Sequence, residues 1–189
     1  MTAPIDLRLM RHGEPVLAGR LLGRTDCGVR AEGVAACRKA ASGLQIGRVV
    51  ASDLRRASDC AAVIAGDMGT PLRVDPRWRE LDFGDWDGLA PGHVDAAALR
   101  DFWDDPDAQP PPGGERWSTL LARVTDALHD ITETSLVVTH AGAMRAALVA
   151  ACGFDRRQSW AFDLPYACVL SLRLWRGEAP AAQILALRP

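Results

Sequence analysis

The chain has 189 residues, 48% of them hydrophobic and 24% charged, and a formal net charge of −2. These values fit one globular domain with room for a sizeable core. They give no reason to expect nucleic acid or a membrane surface as a partner, and no apolar stretch approaches the length of a membrane span.

The cations are unusual. Lys39 is the only lysine and asparagine is absent, so a bound phosphate would be held by arginine forks or histidine. The cysteines are odd in number, and no C-x-x-C pair exists. Cys37, Cys60, Cys152 and Cys168 sit in apolar stretches and read as small core residues, which points to reduced thiols and a cytoplasmic location. The first residues, Met1 to Asp6, lack the basic-then-apolar pattern of a signal peptide.

Residues Ile5 to Met10 alternate as a strand and run into Arg11-His12-Gly13. A Gly- and Arg-rich loop covers Glu14 to Val29. A helix is expected over Ala31 to Leu44, with Val34, Cys37 and Ala41 on one face. The strand Arg48 to Ala51 leads to Ser52 and Asp53, both good N-cap residues, and to a helix over Leu54 to Met68 that Gly69 stops. A strand follows around Leu72 to Asp75. Residues 76 to 92 are too polar and irregular for a core element, and their aromatics suggest an anchored loop. Residues 93 to 103 read as a helix. The proline-rich segment Asp104 to Glu115 reads as an ordered loop and partial lid, so that residues 76–116 cap the site within a single domain spanning 1–189. A helix over 116–133 precedes the apolar strand Ser135 to Thr139, and His140 stands at its end. A helix over Ala141 to Ala151, a short one near Arg156 to Trp160, and strands at Ala167–Trp175 and Ala181–Leu187 complete the chain. Gly177 falls in the turn between those two strands.

This rhythm predicts an α/β fold, a three-layer sandwich with a mostly parallel central sheet flanked by helices. Ligands in such sheets bind beyond the C-terminal strand ends. Three of those ends carry Arg11-His12, Ser52 to Arg56, and His140 followed by a helix N-terminus. If the strands are neighbours, two imidazoles, arginines and a helix's positive end converge on a point suited to a phosphate dianion. A lone histidine at a strand end is usually a polar cap, the reading for His93 and His129. It is the conjunction of His12, His140 and the arginines that carries the signal.

Six motifs follow one another along the chain: Leu9-Met10-Arg11-His12-Gly13-Glu14, Gly19 to Asp26, Ala51-Ser52-Asp53-Leu54-Arg55-Arg56-Ala57, Arg79 to Gly88, the Gly-Gly-Glu loop ending at Glu115, and Val138 to Arg145. Together they resemble the histidine phosphatase superfamily, the phosphoglycerate-mutase-like fold. The resemblance implies that His12 attacks phosphorus, with its other ring nitrogen fixed by a carbonyl. It implies that Arg11, Arg56 and His140 hold the phosphoryl oxygens, selecting Arg56 over Arg55, and that Glu80 is the general acid and base. Gly23 and the backbone of Ala141 are implied substrate contacts. No metal or cofactor is implied. Three departures stand out: no asparagine follows the first motif, the loop from His12 to Gly23 is about two residues short, and Ala141 replaces a common glycine.

Within the family, the short chain and the loop after Glu80, with Phe83 and Trp86 in place of basic residues, favour a phosphatase. The expected substrate is a small phosphomonoester with an apolar or aromatic leaving group, such as the α-ribazole-5′-phosphate of cobalamin synthesis. The alternatives are a cofactor-dependent phosphoglycerate mutase and a non-catalytic phosphate-binding module. A homodimer is left open.

Overall fold

The computed structural model describes residues 3–175 and 181–189. The turn assigned to Gly177 lies outside the described residues. Six strands form one sheet: β1 (Ile5–Arg11), β2 (Arg48–Ala51), β3 (Leu72–Val74), β4 (Ser135–Thr139), β5 (Val169–Trp175) and β6 (Ala181–Arg188). Their order is β3-β2-β4-β1-β5-β6. β3, β2, β4 and β1 run parallel, and β5 and β6 are antiparallel additions. β4 sits in the middle and every one of its residues is buried.

Among the described residues, six helices flank the sheet: α1 (Ala31–Ala41), α2 (Arg55–Met68), α3 (Ala96–Asp104), α4 (Trp117–His129), α5 (Ala141–Cys152) and α6 (Arg156–Ser159). The period-two alternation of the strands splits the core in two. Leu7, Leu9, Val50 and Val137 pack with Leu120, Val124 and Leu148 of α4 and α5. Met10, Val49, Ala51 and Val138 pack with Cys37, Ala57, Ala61 and Ile64 of α1 and α2. The three expected layers are therefore present. α5 is apolar nearly all round, so it is buried on most faces, and Gly153 ends it in the left-handed region at φ 70°.

Local boundaries differ from expectation for identifiable reasons. α2 begins at Arg55, and neither Ser52 nor Asp53 caps it; Leu54 holds the cap position without a side-chain bond. Asp53 is instead taken by Arg79 through a two-point ion pair, and Ser52 Oγ accepts from the Leu54 N–H at 3.3 Å. α1 stops at Ala41, and α4 stops at His129, where Asp130 turns toward Arg77. Residues 76–93 form three short 3₁₀ turns, at Pro76–Trp78, Gly84–Trp86 and Pro91–His93. Trp78, Phe83 and Trp86 anchor them by burial. No helix among the described residues is long and apolar enough to cross a membrane.

Candidate active site

β2, β4 and β1 are immediate neighbours, so their C-terminal ends converge. The His12 N–H donates to the Thr139 carbonyl at 2.9 Å, and the Ser52 N–H donates to Val138 at 3.1 Å. These bonds carry the sheet one residue past its strands and set His12 beside His140. The two rings lie 5.0 Å apart, edge to face.

Both imidazoles are buried. Burial, first of all, pushes His12 down to about 3; the Gly13 carbonyl opposes this, while Arg56 and Arg11 add to it. Burial likewise drives His140 well below the usual range, helped by Arg56 and His12. Both rings are therefore neutral at neutral pH. His12 Nδ1 stands 2.7 Å from the Gly13 carbonyl oxygen. A carbonyl only accepts, so Nδ1 carries the proton and Nε2 keeps its lone pair. Neither ring nitrogen of His140 has a hydrogen-bond partner among the described residues.

The arginines are held by carbonyls rather than carboxylates. Arg56, only 1% exposed, donates to the carbonyls of Thr25, Leu22 and Gly23 at 2.8, 2.7 and 3.1 Å. Arg11 donates to Leu164 at 2.6 Å. Neither takes part in an ion pair among the described residues, so both keep their charge for an outside anion. Arg55 is exposed, faces Asp59 and stays on the helix surface.

Glu80 reaches the same place from the loop after β3. Its Oε1 accepts from the Leu81 N–H and its Oε2 from the Gly142 N–H, both at 3.0 Å. A Cβ at position 142 would stand 2.1 Å from Glu80 Oε1, so only glycine admits the carboxylate to the first turn of α5. Ala141, at the start of that helix, lines the cleft with Glu80 and Arg11.

Gly23 is placed differently from the other predicted residues. Its N–H donates to Asp87 at 3.0 Å and its carbonyl accepts from Arg56. Both of its backbone groups are thus spent inside the protein, as a strut for Arg56.

Three further residues organise the site without having stood out in the sequence. Asp87 accepts from the N–H groups of Gly23, Arg24 and Thr25 and from the Thr25 hydroxyl. It thereby fixes the loop whose carbonyls grip Arg56. Arg123, on α4, donates to the carbonyls of Arg77, Arg79 and Glu80 and pairs with Glu115. It braces the segment that carries the acid. Tyr166 lies against both Arg11 and His12. Arg123 had a sequence signal: a charge at a register shared with Leu120, Val124 and Ala127 on an inward face. Asp87 lies inside the Arg79 to Gly88 motif, which does not by itself assign its partners, and Tyr166 has no signal.

A cleft of about 300 Å³ opens beside Glu80 and Arg11. Five aromatic side chains, Phe83, Phe102, Trp103, Trp117 and Trp160, line it together with aliphatic and charged residues. Arg145 and Arg156 also reach it, and the Arg145 guanidinium lies 4.2 Å from the centre of the Trp160 ring. Of the segment 104–115, only Pro106 lines the cleft. Its far half is bonded to the acid loop: Asp85 N–H donates to Pro112, and Glu115 N–H to Asp82, at 2.8 and 2.9 Å. No group of three or more metal-binding side chains occurs among the described residues.

This sheet, with its paired imidazoles at the strand ends, places the chain in the class of phosphoglycerate-mutase-like α/β enzymes. Residues 7–185 match the model of the histidine phosphatase superfamily (branch 1), and the chain belongs to this superfamily. It is 32% identical over 155 residues to a glucosyl-3-phosphoglycerate phosphatase of Mycolicibacterium vanbaalenii, covering 78% of this chain and 68% of that protein. A protein of the same name from Mycobacterium tuberculosis is 34% identical over 125 residues, 62% of this chain and 56% of its own length. Among solved structures, a mycobacterial glucosyl-3-phosphoglycerate phosphatase superimposes with a TM-score of 0.86 at 25% identity, over 97% of this chain and 98% of that one. An α-ribazole phosphatase structure from Shigella flexneri gives 0.83 at 21% identity, over 98% of this chain and 96% of that one, a likeness of fold.

Proposed function

We propose that the protein hydrolyses a small phosphate monoester through a phosphohistidine on His12. The observation that carries this reading is the fixed tautomer. With Nδ1 committed to the Gly13 carbonyl and the ring held neutral, Nε2 is a ready nucleophile at neutral pH. Attack forms an N–P bond and expels the alcohol, which Glu80 protonates. Glu80 then takes a proton from water as that water attacks phosphorus, releasing inorganic phosphate and restoring His12. Arg11, Arg56 and His140 bind the phosphoryl oxygens, where preorganised donors stabilise the charge that shifts during transfer. The helix N-terminus at Ala141 adds a further positive end. The step uses no metal.

The leaving group is read from the cleft. Its aromatic walls suit a ring with an apolar face, as in α-ribazole-5′-phosphate. Residues 76–116 act as the cap over that pocket. A second reading, glucosyl-3-phosphoglycerate, is favoured by Arg145 and Arg156, two cations placed among rings where a sugar face and a carboxylate would lie together. A mutase would need to hold a second acidic substrate at the phosphoenzyme.

A steady-state panel decides among these: α-ribazole-5′-phosphate, glucosyl-3-phosphoglycerate, an aryl phosphate, and 3-phosphoglycerate with and without its bisphosphate. The ring-bearing monoesters are expected to lead in kcat/KM, and Trp160→Ala to lower that lead by about tenfold while sparing small alkyl phosphates. Mutase flux well above hydrolysis, or no preference for a ring, contradicts the reading.

A further inference from the structure

Arg11 and His12 are consecutive, and consecutive side chains on an extended strand leave it on opposite sides. The function proposed above, on which this inference rests, requires both to meet one phosphoryl group. The segment between α6 and β5 addresses both. The Leu164 carbonyl accepts from Arg11 Nη1 at 2.6 Å. The Arg11 guanidinium lies over the face of the Tyr166 ring, 4.0 Å from its centre. The same ring stands 5.6 Å from the His12 imidazole, tilted by 40°. Next in the chain, the Ala167 N–H donates to the carbonyls of Arg11 and His12, at 3.1 and 3.2 Å.

Ala167 is the only non-glycine residue at positive φ among the described residues, at 62°. An alanine there costs free energy that a glycine would not. Such strain persists where the surroundings over-determine the backbone, and it clusters at functional sites. The strained turn sets one N–H on the carbonyls of Arg11 and His12 while the preceding ring contacts their side chains.

The choice of an aromatic residue has a physical reason. A carboxylate beside Arg11 would orient it equally well but neutralise it. A ring face holds the guanidinium through its quadrupole and leaves the positive charge for the phosphoryl group. We propose that Tyr166 is a positioning residue for phosphoryl transfer: its ring fixes Arg11 and His12 relative to one another, so that cation and nucleophile address the same phosphorus. It acts through these two neighbours and needs no chemistry at its hydroxyl.

The test compares Tyr166→Phe, Tyr166→Leu and a series of singly to fully fluorinated phenylalanines at position 166. The assay is hydrolysis of an aryl phosphate, with kcat and KM separated. Tyr166→Phe is expected to stay within about twofold of the native kcat, and Tyr166→Leu to lose about tenfold or more in kcat with a smaller change in KM. Along the fluorinated series, kcat should fall step by step as the ring quadrupole weakens, with the melting temperature nearly constant. A purely structural ring would give no such gradient. A native kcat in Tyr166→Leu, or a flat fluorinated series, overturns the proposal; if the leucine variant does not fold, the series alone decides. Alkaline denaturing quench of the native enzyme, which preserves an N–P bond, distinguishes the role of Tyr166 from the phosphohistidine mechanism. A phosphoenzyme on His12 with a flat series removes only the role of Tyr166. No phosphoenzyme removes the mechanism, and this proposal with it.

Discussion

Arg123→Met separates the brace of the acid loop from the acid itself. Arg123 makes five hydrogen bonds, all between 2.7 and 2.9 Å: two to Glu115 and one each to the carbonyls of Arg77, Arg79 and Glu80. Its side chain is 17% exposed and that of Glu115 is 8% exposed, so solvent screens the pair only weakly. Charge-assisted bonds contribute about 1.5–3 kcal/mol each in isolation, but they are not additive. The relevant magnitude is that of breaking a buried pair and stranding one charge, about 3–5 kcal/mol. For a domain of this size that lowers the melting temperature by on the order of 10 °C. Removing both partners, as Glu115→Leu with Arg123→Met, should cost less than removing Arg123 alone, because no charge is stranded. The activity readout follows from the bond to the Glu80 carbonyl. A loosened Glu80 should lower kcat by about tenfold or more for an alkyl phosphate, whose leaving oxygen needs a proton. p-Nitrophenyl phosphate, which departs as a stable phenolate, should be affected much less. Equal losses on both substrates, or a melting temperature within about 2 °C of the native protein, would refute this account of the loop.

The Asp87 carboxylate should behave as a remote grip on Arg56. Asp87→Ala frees the N–H groups of residues 23–25 and is expected to lower kcat/KM by about 10–100-fold, with Asp87→Asn intermediate; a native value for the alanine variant would disconnect this loop from the site. The imidazoles make stability fall with acid. His12 is held down to about 3 in the fold but protonates near 6.5 when unfolded, so the unfolded state binds more protons between those values. The neutral ring therefore costs nothing above pH 6.5, and stability declines as pH drops below it. At pH 5 the His12 share is about 2 kcal/mol, and His140 adds in the same direction. The depressed aspartates Asp6, Asp53 and Asp75 release their stabilisation only nearer and below 3.8, so urea unfolding at pH 7.5 and about 5 isolates the imidazoles. Equal midpoints at the two pH values would contradict the buried, neutral assignment.

Much of the fold was legible in the sequence because its strands are short and strongly patterned. Arg48–Ala51 and Ser135–Thr139 stand where the apolar runs put them. Boundaries failed where a polar residue had a distant competitor. Asp53 looks like a helix cap in the sequence, yet Arg79, far along the chain, claims it. Of the candidate site, the groups at the strand ends were readable because the sheet itself brings Arg11, His12 and His140 together. The braces were not. Asp87 and Tyr166 act across 62 or more residues of chain, on partners that only the folded loops select. Gly23 lies in a readable motif but turns both of its backbone groups inward, a direction set by Asp87 and Arg56 rather than by its own sequence.

The proposed hydrolysis depends on His12 as the nucleophile. Rapid mixing with a ³²P-labelled substrate, followed by denaturing quench, should trap label that survives alkali, is lost in acid, and maps to the peptide carrying Arg11-His12-Gly13. His12→Ala should carry no label and turn over no substrate, whereas Glu80→Gln should accumulate label from a substrate with a good leaving group. Label on another residue, or hydrolysis by His12→Ala at the native rate, would contradict it.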